Sequence, residues 1–343
     1  MLKTTSTSAV KGSVLVTGGA GYIGSHTVHP LVERGEGVVV LDNLYSGHRW
    51  AVPGEAVFVE GDMADQSLVS RVIREHDVRS VIHFAAHLVV EESTSNPGKY
   101  YRNNVLGTLN LAEVCHQEGV KHFIFSSTCA AYGTPETTPV LETAPTQPES
   151  PYGRSKLTTE HILWELERAA QLNGSASPMH HVILRYFNVA GARVKGGLGQ
   201  ATAGATQLVK VASEVVLGKR PGLKVFGTDY PTPDGTCIRD YIHVDDLAHA
   251  HILALDYLRN GGESQLLNCG YGKGYSVKEV VSAMKNVSGV DFKVDYVERR
   301  PGDVIAIYAD PTKIQKTLGW APQYADLELI CRTSLEWERK MKS

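Results

Sequence analysis

Short, uninterrupted apolar runs recur through the first half of the chain, at Val14–Val16, Val38–Leu41, Ala56–Val59, Val81–Phe84, Phe123–Phe125 and Val182–Leu184. Between most of them apolar residues return at helical spacing, as at Leu68, Val69, Val72 and Ile73, or Val105, Leu106, Leu109, Leu111 and Val114. A strand that is apolar at every position has both faces covered, and strands alternating with amphipathic helices build a parallel sheet. The pattern predicts an α/β fold with a doubly wound parallel sheet of the Rossmann type. Pro30 falls inside the helix that starts near Tyr22, where a proline removes a hydrogen bond, so that helix is expected to kink or to end early. Thr134–Pro151 is rich in threonine and proline and reads as a loop, and Tyr152–Glu167 reads as a helix after it.

From Gly191 onward the pattern weakens. Gly196, Gly197 and Gly199, then Pro231–Gly235, mark long loops, which in a compact domain are usually functional or mobile. A helix over Thr206–Leu217, a strand near Lys224–Phe226, a helix from Val244 and another over Ser276–Asn286 fill a smaller C-terminal α/β lobe. We divide the chain into a sheet domain at 13–190, with a return segment near 236–260, and a second lobe at 191–343. Residues 1–12 are polar and Ser/Thr-rich, without the apolar core of a signal peptide, and are expected as a frayed tail.

The first apolar run stops at Thr17, and glycines follow at Gly18, Gly21 and Gly24. A strand, a tight turn and a helix start have this form. Glycine takes the positive φ of the turn and lets a pyrophosphate and the helix approach closely, and the helix N-terminus points unpaired N–H groups at the phosphates. The second run ends at Asp42, whose carboxylate can accept from both hydroxyls of an adenosine ribose and would repel a 2′-phosphate. The pair predicts an NAD site rather than an NADP site.

Bulk composition narrows the classes. The 343 residues, 42% hydrophobic and 21% charged, suit an ordinary globular protein with two lobes. A net charge of −3 provides no field for nucleic acid or an anionic membrane surface. No apolar run is long enough to span a bilayer. Cys115, Cys129, Cys237, Cys269 and Cys331 are odd in number and widely spaced, which reads as reduced thiols of a cytoplasmic protein. The histidines show no ligand spacing, so no metal is expected.

Tyr152 and Lys156 lie four apart, one turn apart on one helix face. A nearby ammonium favours the phenolate, which would make Tyr152 a base near neutral pH. A tyrosine and a lysine sharing a helix by chance have the same spacing. Ser126-Ser127-Thr128 ends the Phe123–Phe125 strand, at the sheet end where α/β sites form. A hydroxyl there can share a proton with Tyr152, or it can simply cap a turn.

Taken together these residues resemble the extended short-chain dehydrogenase/reductases and, within them, the UDP-hexose 4-epimerase group. The likeness runs from about Ser13 to Trp337. It rests on Thr-Gly-Gly-Ala-Gly-Tyr-Ile-Gly at 17–24, Leu-Asp-Asn-Leu at 41–44, Tyr-x-x-x-Lys, Arg-Tyr-Phe-Asn at 185–188 and Gly-Thr-x-x-Arg-Asp-Tyr-Ile-His-Val at 235–244. The resemblance implies that Gly18, Gly21, Tyr22, Ile23, Gly24, Asp42, Asn43, Ser46, Gly47, Asp62, Met63, Phe84, Ala85, Asn103, Tyr152, Lys156 and Phe187 line NAD. It implies that Thr128, Asn188, Gln207, Leu208, Lys224, Phe226, Arg239, Tyr241, Arg300, Asp303 and Ile307 hold the UDP-sugar, making the C-terminal lobe its binding lobe. Arg239 and Arg300 are fork-shaped donors suited to a diphosphate, and Phe226 suits a uracil face. Tyr152, Lys156 and Thr128 would be catalytic, in a reaction that inverts C4 through a transient hydride transfer and a 4-keto sugar. A homodimer through helices near Asn103–His116 and Tyr152–Arg168 is also implied.

Four positions depart from the group's pattern. Leu88 replaces a frequent lysine near the cofactor ribose, Glu91 a glycine, and Lys210 a proline. Ile307 stands where some members have a tyrosine closing the sugar pocket, so N-acetylated sugars are expected to fit. The other readings are a UDP-pentose 4-epimerase, a UDP-glucuronate decarboxylase or 4,6-dehydratase on the same scaffold, and an NAD-sensing regulatory protein. No basic set for a carboxylate is found, and Cys129-Ala130 follows Thr128 where a dehydratase carries an acidic pair.

Overall fold

The computed structural model describes residues 12–175, 178–300 and 303–341; the tail expected at 1–12 lies outside them except for Gly12. Seven parallel strands form the main sheet: β1 (Ser13–Thr17), β2 (Val38–Asp42), β3 (Val57–Glu60), β4 (Val78–His83), β5 (His122–Thr128), β6 (His180–Tyr186) and, much later in the chain, β10 (Gln265–Cys269). Their order across the sheet is β10-β6-β5-β4-β1-β2-β3. All six apolar runs of the first half are strands of this sheet. The seventh strand was not foreseen, because its Leu266-Leu267 pair is flanked by the polar Gln265 and Asn268.

Alternate residues of each strand feed two cores. Val14, Val16, Val38 and Val40 face one side, with helices α1 (Tyr22–Glu33), α8 (Val244–Arg259) and α10 (Thr312–Leu318) supplying Val28, Leu31, Leu247, Leu255 and Ile314. Leu15, Val39, Leu41 and Phe123 face the other, with α2 (Gln66–Glu75), α5 (Gly107–Gln117) and α6 (Pro151–Leu172) supplying Val69, Val72, Leu111 and Leu163. Each such fully buried side chain contributes about 1.5–3 kcal/mol relative to its exposure. Double coverage is why the strands lack a polar face.

Pro30 does not end α1 early. It sits in the last turn, and its carbonyl accepts from the N–H of Arg34. Two short helices, α3 (Val90–Ser95) and α4 (Pro97–Tyr100), lead into a π-helical segment at Tyr101–Leu106 and then α5. The wider turn shifts the helical phase, so Leu106, expected on the buried face, is exposed while Leu111 and Val114 are buried.

The smaller unit holds β7 (Asn188–Ala190), α7 (Leu208–Val216), β8 (Leu223–Phe226), β9 (Ile238–His243), β11 (Gly274–Ser276), α9 (Val277–Ser288), β12 (Val294–Val297), β13 (Ala306–Ile307) and α11 (Leu327–Lys340). Strand β9 pairs with β7, β11 and β13, and β8 pairs with β12. Within the stretch 236–260, β9 belongs to this second sheet; the return to the first core is made by α8 and continues through β10. No helix among the described residues is long and apolar enough to cross a membrane.

Candidate active site

The site gathers at the carboxyl ends of β1, β2, β4, β5 and β6, where a parallel sheet leaves its loops and helix N-termini facing one crevice. Gly18 takes φ 70°. A Cβ on Gly24 would lie 2.2 Å from the carbonyl oxygen of Gly18, so only glycine lets α1 start this close to the turn. A Cβ on Gly21 would meet nothing nearer than that same oxygen at 3.2 Å, leaving the outer side open for a ligand. Gly21 is the N-cap of α1 and offers no side-chain cap, so the first-turn N–H groups are available to an anion.

Asp42 ends β2 beside this turn. Its carboxylate accepts from Ala20 N at 2.9 Å and Leu44 N at 2.8 Å. A carboxylate offers about four acceptor sites, so capacity remains for two ribose hydroxyls. Burial raises its pKa, and the two backbone donors oppose this. Asn43 and Asp62 are joined by a hydrogen bond of 3.2 Å at the ends of β2 and β3. The loop carrying Ser46 and Gly47 folds onto the glycine turn, with His48 N donating to Ala20 O. Phe84 N donates to Thr17 O, and Ala85 lies against Gly18. This donor set and cradle fit a dinucleotide with free ribose hydroxyls. Two residues expected at the cofactor have their side chains engaged elsewhere. The hydroxyl of Tyr22 donates to Gly191 O at 2.6 Å, which ties α1 to the loop after β7, so Tyr22 has its main chain to offer. Met63 is buried in the second core, with its methyl against Gly107.

Tyr152 and Lys156 occupy the first turns of α6, whose start is fixed by the Ser150 hydroxyl accepting from Gly153 N and by Pro151 at the first helical position. Thr128, the last residue of β5, lies beside the Tyr152 hydroxyl and favours its ionised form. Its Oγ1 also accepts from Ala130 N at 3.1 Å. Thr128 therefore caps the short turn after β5 as an acceptor, which leaves its own proton free. The other two hydroxyls of the run go elsewhere: Ser126 to His251 and Ser127 to Glu160.

The expected acidification of Tyr152 by Lys156 is not what the geometry gives. Burial pushes the phenol well above its ordinary value, the Tyr186 hydroxyl adds to this, and the Thr128 hydroxyl pulls it back. The Lys156 ammonium donates to Ser126 O at 2.9 Å and sits 4.8 Å over the Phe125 ring. Burial brings Lys156 down to about 7, with the Glu160 carboxylate opposing. The physical reason is desolvation: both groups are buried, and each loses more by leaving water than its neighbours return.

Beneath the pair lies a network that the sequence reading missed. Glu160 is one turn beyond Lys156 on the same face of α6, and Arg185 lies in β6 in register with Ser127 of β5. The guanidinium pairs with Glu160 at 2.5–3.2 Å, both side chains being buried. The Arg185 plane rests 4.6 Å from the Tyr132 ring centre. The signal was present as a glutamate at i+4 from the lysine and an arginine opening Arg-Tyr-Phe-Asn. Asn104, also missed, holds His87 through both main-chain groups and reaches Ser155 at 3.1 Å. Its neighbour Asn103 donates to it at 2.9 Å.

On the smaller unit the residues assigned to substrate fall into three groups. Lys224 and Phe226 share the exposed face of β8, the Arg300 guanidinium lies 5.1 Å over the Phe226 ring, and Arg300 pairs with Asp303 at 2.7 Å. Arg239 and Ile307 are neighbours in the β9–β13 ladder. Asn188 and Tyr241 are neighbours in the β7–β9 ladder, Tyr241 being buried. Ile307 packs with Phe187, Tyr132, Val140 and Ala309. Two assignments sit apart from these. Leu208 packs on the core of the smaller unit, and Gln207 accepts from Gln200 at 2.9 Å. Lys210, standing in place of a proline, is buried in an ion pair with Glu338. Leu88 and Glu91 are both exposed.

Comparison with known proteins places these features in one setting. Residues 14–270 match the model of the NAD dependent epimerase/dehydratase family. A UDP-glucose 4-epimerase of Azospirillum brasilense is 50% identical over 98% of this chain and 95% of its own length. The structure of a Brucella ovis UDP-glucose 4-epimerase in complex with NAD superposes with a TM-score of 0.90 at 43% identity, covering 95% of this chain and 98% of that one. A UDP-Glc/GlcNAc 4-epimerase of Campylobacter jejuni gives 0.82 at 48% identity, over 96% and 99%.

Proposed function

Because the chain belongs to the NAD dependent epimerase/dehydratase family, we propose that it inverts C4 of UDP-hexoses, interconverting UDP-glucose and UDP-galactose with NAD held over Gly18–Gly24. The observation that carries this reading is the buried Tyr152 side chain at the start of α6, beside Thr128 at the carboxyl end of β5.

NAD, when bound, accepts a hydride from the sugar C4 and returns it. The chain's own residues move the proton and hold the sugar. Tyr152 Oη, as the phenolate, takes the proton of the 4-hydroxyl, and Thr128 favours that ionised form before the transfer. Lys156 provides a buried positive charge one turn away, its proton shared with Ser126 O. Arg239 and Arg300 suit the diphosphate, and Phe226 suits the uracil face. With the diphosphate clamped, the ketone face can turn without release, and Tyr152 returns the proton to the new hydroxyl. A base must lose its proton to act, so the buried phenol calls for positive charge nearby before it ionises at neutral pH.

Incubation of the purified chain with either UDP-glucose or UDP-galactose is expected to give the same mixture of the two, read by chromatography. Failure to convert either one overturns the reading. Ile307 is smaller than tyrosine and lies in the apolar group with Phe187, so UDP-GlcNAc is also expected to convert to UDP-GalNAc. No detectable product with that sugar would end this part alone.

The same reading makes the protein a cytoplasmic homodimer. All five cysteines are free thiols. The π-helical segment packs on α6, and Tyr101, Leu106 and Trp164 of these helices are exposed large apolar side chains. Such side chains suit a face covered by a second copy. Sedimentation at the mass of a single chain at micromolar concentration would refute the dimer.

A further inference from the structure

Strand β1 lies between β4 and β2, so the loop after β2 and the segment after β4 stand on opposite sides of the glycine turn. One side chain spans the gap. Tyr45, three residues past Asp42, sets its ring edge-on to His87, with centroids 4.8 Å apart and planes at 79°. The Lys99 ammonium of α4 donates to the Tyr45 hydroxyl at 2.8 Å and lies 4.9 Å from its ring centre.

The far side of this contact is anchored. Lys99 pairs with Glu92 at 2.5 Å. The fully buried Tyr100 donates to Val89 O at 2.6 Å and to Glu92 at 2.9 Å. His87 is pinned by Asn104 through its N–H and its carbonyl. Tyr45 itself is 66% exposed, so core packing does not explain its position. Its ring and hydroxyl contacts run to the other side of the groove. Leu88, next to His87, has no donor with which to grip a ribose or phosphate, so a side-chain grip at that position is missing.

We infer that Tyr45, with His87 and Lys99, forms a bridge across the mouth of the nucleotide groove and retains the bound dinucleotide through successive turnovers. The inference rests on the reading of the groove as an NAD site. A reaction that returns its hydride has no need to exchange cofactor, and a closed mouth serves that economy. Release then requires the Tyr45 contacts to open, namely the Lys99 hydrogen bond, the approach of that ammonium to the ring, and the edge-on contact with His87.

The test is the release rate of the dinucleotide. The chain is loaded with NADH and chased with excess NAD, and the loss of bound-NADH fluorescence is timed. Tyr45→Ala is expected to release about tenfold faster than the unaltered chain, the size of effect that one such hydrogen bond and ring contact supply together. Lys99→Met, which keeps the stem but loses the charge and the donor, is expected to fall between the two. Thermal unfolding of both variants is expected to match the unaltered chain, since Tyr45 is exposed and Lys99 is near the surface. Equal release rates in all three proteins overturn the bridge and leave the NAD site standing. An unaltered chain that binds no NADH overturns the NAD reading and the bridge together.

Discussion

Tyr152→Phe is expected to lower kcat by about two to four orders of magnitude, the range that a positioned acid–base group contributes. The ring is kept, so the packing around this buried position is unchanged, and only the oxygen facing Thr128 is lost. Dinucleotide binding and UDP-glucose binding should survive, so the loss falls on kcat and not on affinity. A companion variant gives the sign of the pH effect. The Thr128 hydroxyl holds the Tyr152 pKa down. In Thr128→Val the phenol loses that donor and its pKa rises further. A base must be deprotonated to act, so the acid limb of the kcat profile moves to higher pH. Turnover of Tyr152→Phe within a few-fold of the unaltered chain would sink the assignment, as would an acid limb in Thr128→Val shifted to lower pH.

Arg185→Leu is expected to destabilise the fold by roughly 3–5 kcal/mol, because it leaves the Glu160 carboxylate buried without its partner. The double variant Glu160→Gln with Arg185→Met removes both charges while keeping shape, and should cost much less than the sum of the single losses. The pair also has an electrical role. Glu160 opposes the burial that brings Lys156 down to about 7. Without that carboxylate, Lys156 loses its proton at a lower pH, and any activity that needs the ammonium fades earlier as pH rises. Chemical denaturation of the single and double variants measures the first effect, and the alkaline limb of kcat measures the second. A single-variant cost below 1 kcal/mol, or a double variant as unstable as the single ones together, would contradict the buried-pair account.

Much of the fold was legible because a doubly covered sheet writes itself into uninterrupted apolar runs. Val14–Val16 and Val38–Leu41 could be little else, and the glycines after Thr17 with Asp42 after the second run placed the groove. Strand β10 was not legible, because Asn268 breaks its apolar run; the asparagine is buried and bonded to Tyr132 and Val140. The π-helical turn was not legible either, since an extra residue per turn leaves the local spacing looking helical while moving Leu106 to the surface.

At the site, Tyr152, Thr128 and Asp42 were readable from residue type and spacing, Arg300 and Phe226 only through the family resemblance, and the stacking of those two not at all. The direction of the Tyr152 shift was not. It depends on how much water the tertiary fold removes, and a sequence shows neighbours along a helix but not solvent. Glu160 and Arg185 escaped for a related reason. Each is a common surface residue type, and their pairing becomes evident only once β6 is placed beside β5.

The late return of α8 and β10 to the first sheet has a consequence for how this chain can be divided. A fragment ending near residue 190 would carry every strand visible in the first half. It would also leave β6 with a bare hydrogen-bonding edge and the Val28–Leu31 face of α1 without the helix that covers it. Naked edges and uncovered apolar faces drive aggregation, so the nucleotide half cannot be cut out as a free-standing module. The first sheet is closed by α8 and β10, which follow the first strands of the smaller unit, so maturation of the cofactor groove is coupled to synthesis of that unit.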